Sequence, residues 1–216
     1  DEEFATLPKD EKLEIIREHV TSRMLAEIEP RVERVVEEID DHFDGVEKNG
    51  WKGMVVTPSR ESAAMYGKRL TERRGEDSVE VLYTSTNDDP ELLRQYHTDP
   101  GGRDQIVREF KKEAEPKLLV VHNMLLTGFD APILKTMYLD RNLKNHNLLQ
   151  AIARTNRPEQ GKENGEIVDF QGVFENIDDA LDYYTETKAY AARDKDELYE
   201  DLTDQLEMVM GIFEGI

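Results

Sequence analysis

Two hydrophobic periods divide this chain. From residue 8 to 44, apolar side chains recur at three- and four-residue steps: Leu13, Ile16, Val20, Leu25, Ile28, Val32, Val35, Val36 and Ile39. That spacing lines one stripe of a helix. Pro30 lies inside the run, where it is expected to break or kink it. Residues 45–53 read as a loop. Beyond Lys52 the pattern changes to short apolar blocks separated by polar stretches. Strands are predicted at 54–57, 79–83, 118–122, 136–139 and 166–170. Helices fall between and after them: one starting at Pro58-Ser59 and carrying Ala63, Ala64, Tyr66 and Leu70, then 105–112, 146–156 and 177–187. A last amphipathic helix runs through Leu198, Leu202, Leu206 and Val209. Residues 85–102 form a long polar stretch, expected to be a mobile surface loop with one helical turn at 91–96.

Continuously apolar strands alternating with helices predict an α/β domain, a parallel sheet covered on both faces. A length of 216 residues suits one core with helical additions. No apolar run approaches the ~20 residues that cross a bilayer. Asp1–Glu3 is acidic where a secretory leader would be basic. Cysteine is absent, which removes disulfides, thiolate nucleophiles and Cys-based zinc sites from consideration. These features predict a cytoplasmic protein.

Charge changes the picture most. The net charge is −20, whereas a nucleic-acid-binding protein is expected to show a basic footprint. The acid is concentrated toward the ends: residues 1–50 carry net −9 and residues 159–216 net −13, while 51–134 carry −2. Residues 135–158 are the exception, with five Lys/Arg against one Asp, net +4. Carboxylates dispersed along the chain suit a halophile-like surface, where screening removes their mutual repulsion.

The chemistry-bearing residues gather around the basic stretch. In an open α/β sheet, ligands are expected beyond the carboxyl ends of the strands. The strand at 118–122 is followed by Thr127-Gly128-Phe129-Asp130-Ala131-Pro132. Gly128 permits unusual backbone angles, and Asp130 offers an acceptor to a hydroxyl or to metal-bound water. Taken alone, the string also describes a turn with an aspartate cap. Next comes the helix at 146–156, with Gln150, Arg154 and Arg157 at i, i+4 and i+7 on one face. Pro158 stops that helix, so Arg157 projects from its end. Two guanidiniums beside an amide suit a polyphosphate or carboxylates, although isolated arginines often serve only in surface ion pairs. The five histidines are scattered without metal-ligand spacing, and no metal site is predicted.

Thr127-Gly128-Phe129-Asp130 followed by Gln150-x-x-x-Arg154-x-x-Arg157 resembles motifs V and VI of superfamily-2 helicases, in their second RecA-like lobe. The longer strings are similar to the motor (R) subunit of type I restriction enzymes. These are Thr127 to Pro132, Tyr138-Leu139-Asp140-Arg141, and Leu143-Lys144-Asn145-His146-Asn147 through Arg157. Ile167-Val168-Asp169-Phe170-Gln171-Gly172 and the upstream Trp51-Lys52-Gly53-Met54-Val55-Val56 also match, so the resemblance covers roughly residues 35–190.

The resemblance implies a RecA-like parallel sheet, a P-loop NTPase fold without its own P-loop. It implies a helical linker at 1–50, the lobe at 51–190 and a helical extension at 191–216. Gly128, Asp130, Gln150, Arg154 and Arg157 would line an ATP cleft, with Arg157 the arginine finger and Gln150 and Arg154 beside it as catalytic groups. Ser59, Arg60, Lys144, Asn145 and His146 would contact the DNA backbone. ATP and Mg²⁺ would be held mainly by a first lobe. The implied partners are double-stranded DNA, that first lobe and the nuclease domain of the same subunit, and methyltransferase and specificity subunits.

No Gly-x-x-x-x-Gly-Lys-Ser/Thr occurs in the sequence. The chain is therefore read as a fragment that hydrolyses no ATP alone. Two other readings stand beside this one. A lobe of another superfamily-2 DNA or RNA helicase shares both motifs but not the Lys144-Asn145-His146-Asn147 lead-in. An acidic, non-enzymatic interaction module such as a DNA mimic fits the charge but gives the clustered arginines no use.

Overall fold

The structure is a computed structural model that describes Met24 and residues 26–126, 128–143 and 146–171, with only the backbone of His146. The helices read at 8–23, at 177–187 and at the carboxyl terminus lie outside the described residues. Five strands form one all-parallel sheet: β1 Lys52–Val56, β2 Val79–Leu82, β3 Leu118–Val121, β4 Leu134–Leu139 and β5 Glu166–Asp169. Their order across the sheet is β2-β3-β1-β4-β5. Each strand predicted from apolar runs is present, displaced by at most two residues at either end.

The helices are α1 Glu29–Lys48, α2 Arg60–Arg74, the single turn α3 Glu91–Arg94, α4 Pro100–Lys112 and α5 His146–Thr155. Parallel strands buried on both faces send alternate side chains into two cores. Val55, Leu118, Val120 and Tyr138 join α1 and α2 in one core, through Val32, Val36, Ile39, Phe43, Tyr66 and Leu70. Met54, Val56, Leu119, Val121 and Leu139 join α4 and α5 in the other, through Phe110, Leu148 and Ala151. Helix α1, the described part of the segment read as a linker at 1–50, thus shares a core with the sheet.

Three expectations are corrected. Pro30 does not interrupt a helix; it stands in the first turn of α1, where its missing N–H costs nothing. The break falls earlier, at Glu27 and Ile28. The loop at 45–53 shrinks to Asn49–Trp51, because Gly45 continues α1 to Lys48. The stretch 85–102 is not a free loop. Asp99 caps α4 by accepting from the Gly102 amide at 2.9 Å, so Pro100-Gly101-Gly102 is helical. Asp89, 1 % exposed, anchors the rest.

Candidate functional site

The groups that the motifs bring forward lie at two opposite edges of the sheet. In a parallel sheet every connection must return to the amino edge before its next strand begins. Residues late in a connection therefore sit at that edge, and this corrects the expectation that all ligand groups gather beyond the carboxyl ends. Asp130 comes four residues before β4, and Arg157 nine before β5.

These two residues meet as an ion pair, Arg157 Nε to Asp130 Oδ1 at 3.3 Å, with both side chains more than half exposed. Helix α5 ends at Thr155, so Arg157 lies beyond it and not on its i+7 face. Gly165 folds back against that helix end. Its amide donates to Asn156 Oδ1 at 2.7 Å, and a Cβ there would come 2.3 Å from the Thr155 carbonyl carbon.

Arg154 is buried, 8 % exposed. Its Nη1 donates to the Gln150 carbonyl oxygen at 2.8 Å, and its Nε is enclosed without a hydrogen-bond partner among the described residues. Burial first, then the Arg157 charge, pulls the Arg154 pKa below its ordinary value. A half-buried Gln150 lies one turn earlier on α5. Gly128 has φ of +69° and an exposed, open position. Two non-glycine residues ahead of it, Asn123 (φ 58°) and Leu125 (φ 61°), also take left-handed angles. For Leu125 this is a strained conformation. Thr127 lies outside the described residues. Arg154, Arg157, Asp130 and Gly128 together offer two guanidiniums and an irregular backbone to a polyanion. Among the described residues, no group of three His, Asp or Glu side chains is arranged to hold a metal ion.

At the carboxyl edge, the predicted DNA-contacting residues of β1 and α2 are engaged internally. Ser59 is buried and caps α2: its Oγ accepts from the Ser62 amide at 3.0 Å, and Ser62 Oγ accepts from the Ser59 amide at 3.0 Å. Arg60 donates to both Asp89 oxygens at 2.7 and 2.9 Å and to the Thr84 carbonyl at 3.1 Å. Asp89 also accepts from the Thr86 hydroxyl at 2.5 Å and amide at 2.8 Å, and pairs with His97 at 2.9 Å. The Thr86 hydroxyl leads the causes that hold this carboxyl far below the usual range. All three of these bonds use Arg60 Nη1, so a phosphate would meet Arg60 through its other nitrogens or in competition with Asp89. Lys144 and Asn145 lie outside the described residues, and of His146 only its place at the start of α5 is described.

Two centres escaped the sequence reading. Asp140, fully buried at the end of β4, accepts from Arg31 of α1 at 2.8 Å, Tyr66 of α2 at 2.5 Å and Gln171 beyond β5 at 2.7 Å. A carboxylate directly after an apolar strand was the available signal. Lys162, in the loop before β5, donates to the carbonyls of Leu134 at 2.7 Å, Pro132 at 2.9 Å and Arg157 at 3.2 Å. Its setting between Gly161 and Gly165 gave no comparable clue. An open cleft of about 860 Å³ lies beside this loop, lined by His42, Trp51, Ile133, Lys135, Glu159 and Glu163 among others. None of the predicted site residues lines it.

The fold is that of a second RecA-like lobe. It is similar to a structure of a Dbp5 variant from S. cerevisiae solved with Gle1 and IP6, with TM-score 0.50 and 16 % identity over 83 % of this chain and 43 % of that one. Residues 82–172 match the family described as type I restriction enzyme subunit R domain 3. A Methanocaldococcus jannaschii protein named for the type I restriction enzyme MjaVIIP is 35 % identical over 207 residues, covering 83 % of this chain and 19 % of its own length. The type I restriction enzyme HindI endonuclease subunit of Haemophilus influenzae is 33 % identical over 177 residues, covering 75 % of this chain and 17 % of its own. The chain belongs to the family of type I restriction enzyme R subunits, and spans about a fifth of the length of these relatives.

Proposed function

We propose that this chain is the second motor lobe of an ATP-dependent, DNA-translocating R subunit, and that its amino edge closes on ATP held mainly by a preceding lobe. One observation carries the reading: Arg154 is a buried cation with an unpartnered Nε and no carboxylate against it among the described residues. A buried charge without a counterion is costly, and an arriving anion relieves that cost. Arg157 stands beside it in an exposed pair with Asp130. Exposed pairs contribute at most about 1 kcal/mol, so phosphate can replace the carboxylate cheaply.

In this reading, Arg154 and Arg157 bind the phosphates and Gln150 orients within the same cleft. Gly128 allows backbone approach, and Asp130 bonds a ribose hydroxyl or water. As negative charge develops on the transferred phosphoryl group, Arg157 neutralises it. Mg²⁺ would shield the phosphate charge and would be held chiefly by the preceding lobe. The DNA backbone would run along the carboxyl edge, past Ser59, Arg60 and the 144–146 segment. Methyltransferase and specificity subunits would complete the assembly. Among the described residues no helix is long and apolar enough to cross a membrane.

The test is Arg157→Ala in the complete subunit, assembled with its partners on DNA. The expected outcome is a loss of DNA-stimulated ATP hydrolysis of about a thousandfold or more, with ATP binding largely retained. A wild-type rate would remove Arg157 from the mechanism. The chain by itself is expected to hydrolyse no ATP and to bind DNA only at low salt.

A further inference from the structure

We infer that Lys162 is a positioning residue for Arg157, a clamp that fixes the finger's backbone against the loop carrying Asp130. The inference rests on the reading of Arg157 as the finger. An ammonium has three N–H donors, and Lys162 uses all three on main-chain carbonyls, those of Pro132, Leu134 and Arg157. Pro132 lies two residues from Asp130, Leu134 opens β4, and the third carbonyl belongs to Arg157 itself. Both members of the Arg157–Asp130 pair are therefore tied, within two residues, to one nitrogen atom.

The need for such a tie follows from the end of α5. The helix stops at Thr155, and the Asn156 amide, donating to the Ile152 carbonyl at 3.2 Å, makes the last backbone bond of its ladder. Arg157 comes next, followed by Pro158, which has no amide to donate. Lys162 returns across a turn closed by its own amide on the Glu159 carbonyl at 3.0 Å and supplies the missing restraint. With its donors saturated, Lys162 is not free to hold a phosphate; it acts through the residue that does. A displacement of about 1 Å in such a group can cost a hundredfold in rate.

The clamp is also sensitive to protonation. A neutral amine keeps two N–H donors, so deprotonation removes one of three bonds, and the longest is that to Arg157. Burial, reinforced by Lys135 on β4 and opposed by Glu159 on the same loop, brings Lys162 down to about 8. Lys135 is itself paired with Glu166 of β5 at 3.2 Å. Lys52, also brought down to about 8, has its ammonium on the Glu113 carbonyl and on none of the carbonyls that Lys162 holds, and serves as the control.

The experiment is steady-state ATP hydrolysis by the complete subunit assembled on DNA, with Lys162→Met, Lys162→Arg, Lys52→Met and Arg157→Ala. Lys162→Met is expected to lower kcat about tenfold to a hundredfold, with KM for ATP within about twofold. Wild type is expected to lose kcat as pH rises through about 8. Lys162→Arg keeps its charge and should retain most of kcat without that alkaline loss, whereas Lys52→Met should keep it. A Lys162→Met protein with wild-type kcat overturns the inference. So does an alkaline limb unmoved in Lys162→Arg, which decides the matter if the Met variant fails to fold. If Arg157→Ala itself keeps the wild-type rate, the finger reading falls first. If Arg157→Ala loses the rate and Lys162→Met does not, only the clamp falls.

Discussion

Two aspartates, ten residues apart, define opposite uses of a carboxylate. Asp140 is fully buried and accepts from three side chains, drawn from α1, α2 and the segment just beyond β5. Asp130 is largely exposed and meets one arginine at 3.3 Å. The first is satisfied and surrounded, so it holds elements in place and has no capacity left for a ligand. The second is loosely held, so its partner can be exchanged. Burial with complete hydrogen bonding marks a structural joint; exposure with partial bonding marks a working surface.

Three substitutions test that contrast. Arg157→Ala should have the largest effect on function, the thousandfold loss of ATP hydrolysis described above, while the urea midpoint of the chain hardly moves. Asp140→Ala should reverse the pattern. Breaking a buried, hydrogen-bonded pair from one side costs about 3–5 kcal/mol, readable as a large fall in the denaturation midpoint. An unchanged midpoint would mean that Asp140 is not a joint. Asp130→Ala should cost less than about 1 kcal/mol in the same melt; a loss as large as that of Asp140→Ala would erase the distinction.

A separate, pH-dependent effect concerns Lys52, buried at the start of β1. Its pKa is brought down to about 8 in the folded chain against the ordinary lysine value of 10.5, with burial the main cause. Between those values the unfolded chain binds more protons than the folded one, so stability from this group rises with pH. Below pH 8 the cost of burying the charge is fully present. The stability gap between Lys52→Met and wild type should therefore narrow from pH 8 to 10.5 in urea melts. A constant gap would show that Lys52 is not strained by its burial.

The fold was legible because continuous apolar runs of three or four residues have few alternatives once helices separate them; β1, β3 and β4 follow directly from Met54-Val55-Val56, Leu118 to Val121 and Met137-Tyr138-Leu139. The helix starts were harder. Pro30 reads as a breaker and Pro100 as part of a polar loop, yet both occupy a first helical turn, a distinction that depends on where each helix begins and not on composition. Among site residues, Arg154, Arg157 and Asp130 stand out by charge and spacing. Their common location at the amino edge does not, because it depends on how far each connection has travelled back across the sheet. Asp140 and Lys162 were missed for a shared reason: each gathers partners distant in sequence, Arg31 lying 109 residues from Asp140, and such partners leave no local pattern.

Helix α1 carries one more consequence. Its twenty residues extend about 30 Å, leading through Asn49–Trp51 into β1 and bonded near its other end, through Arg31, to Asp140 at the carboxyl end of β4. Strand β4 is a central strand, between β1 and β5. A pull on the chain ahead of Ile28 therefore enters the domain at its middle, through a guanidinium–carboxylate joint, and does not peel an edge. Along its length the helix packs on the sheet through Val36, Ile39 and Phe43, so a load entering near Arg31 would be passed to the sheet by that joint and by this packing together.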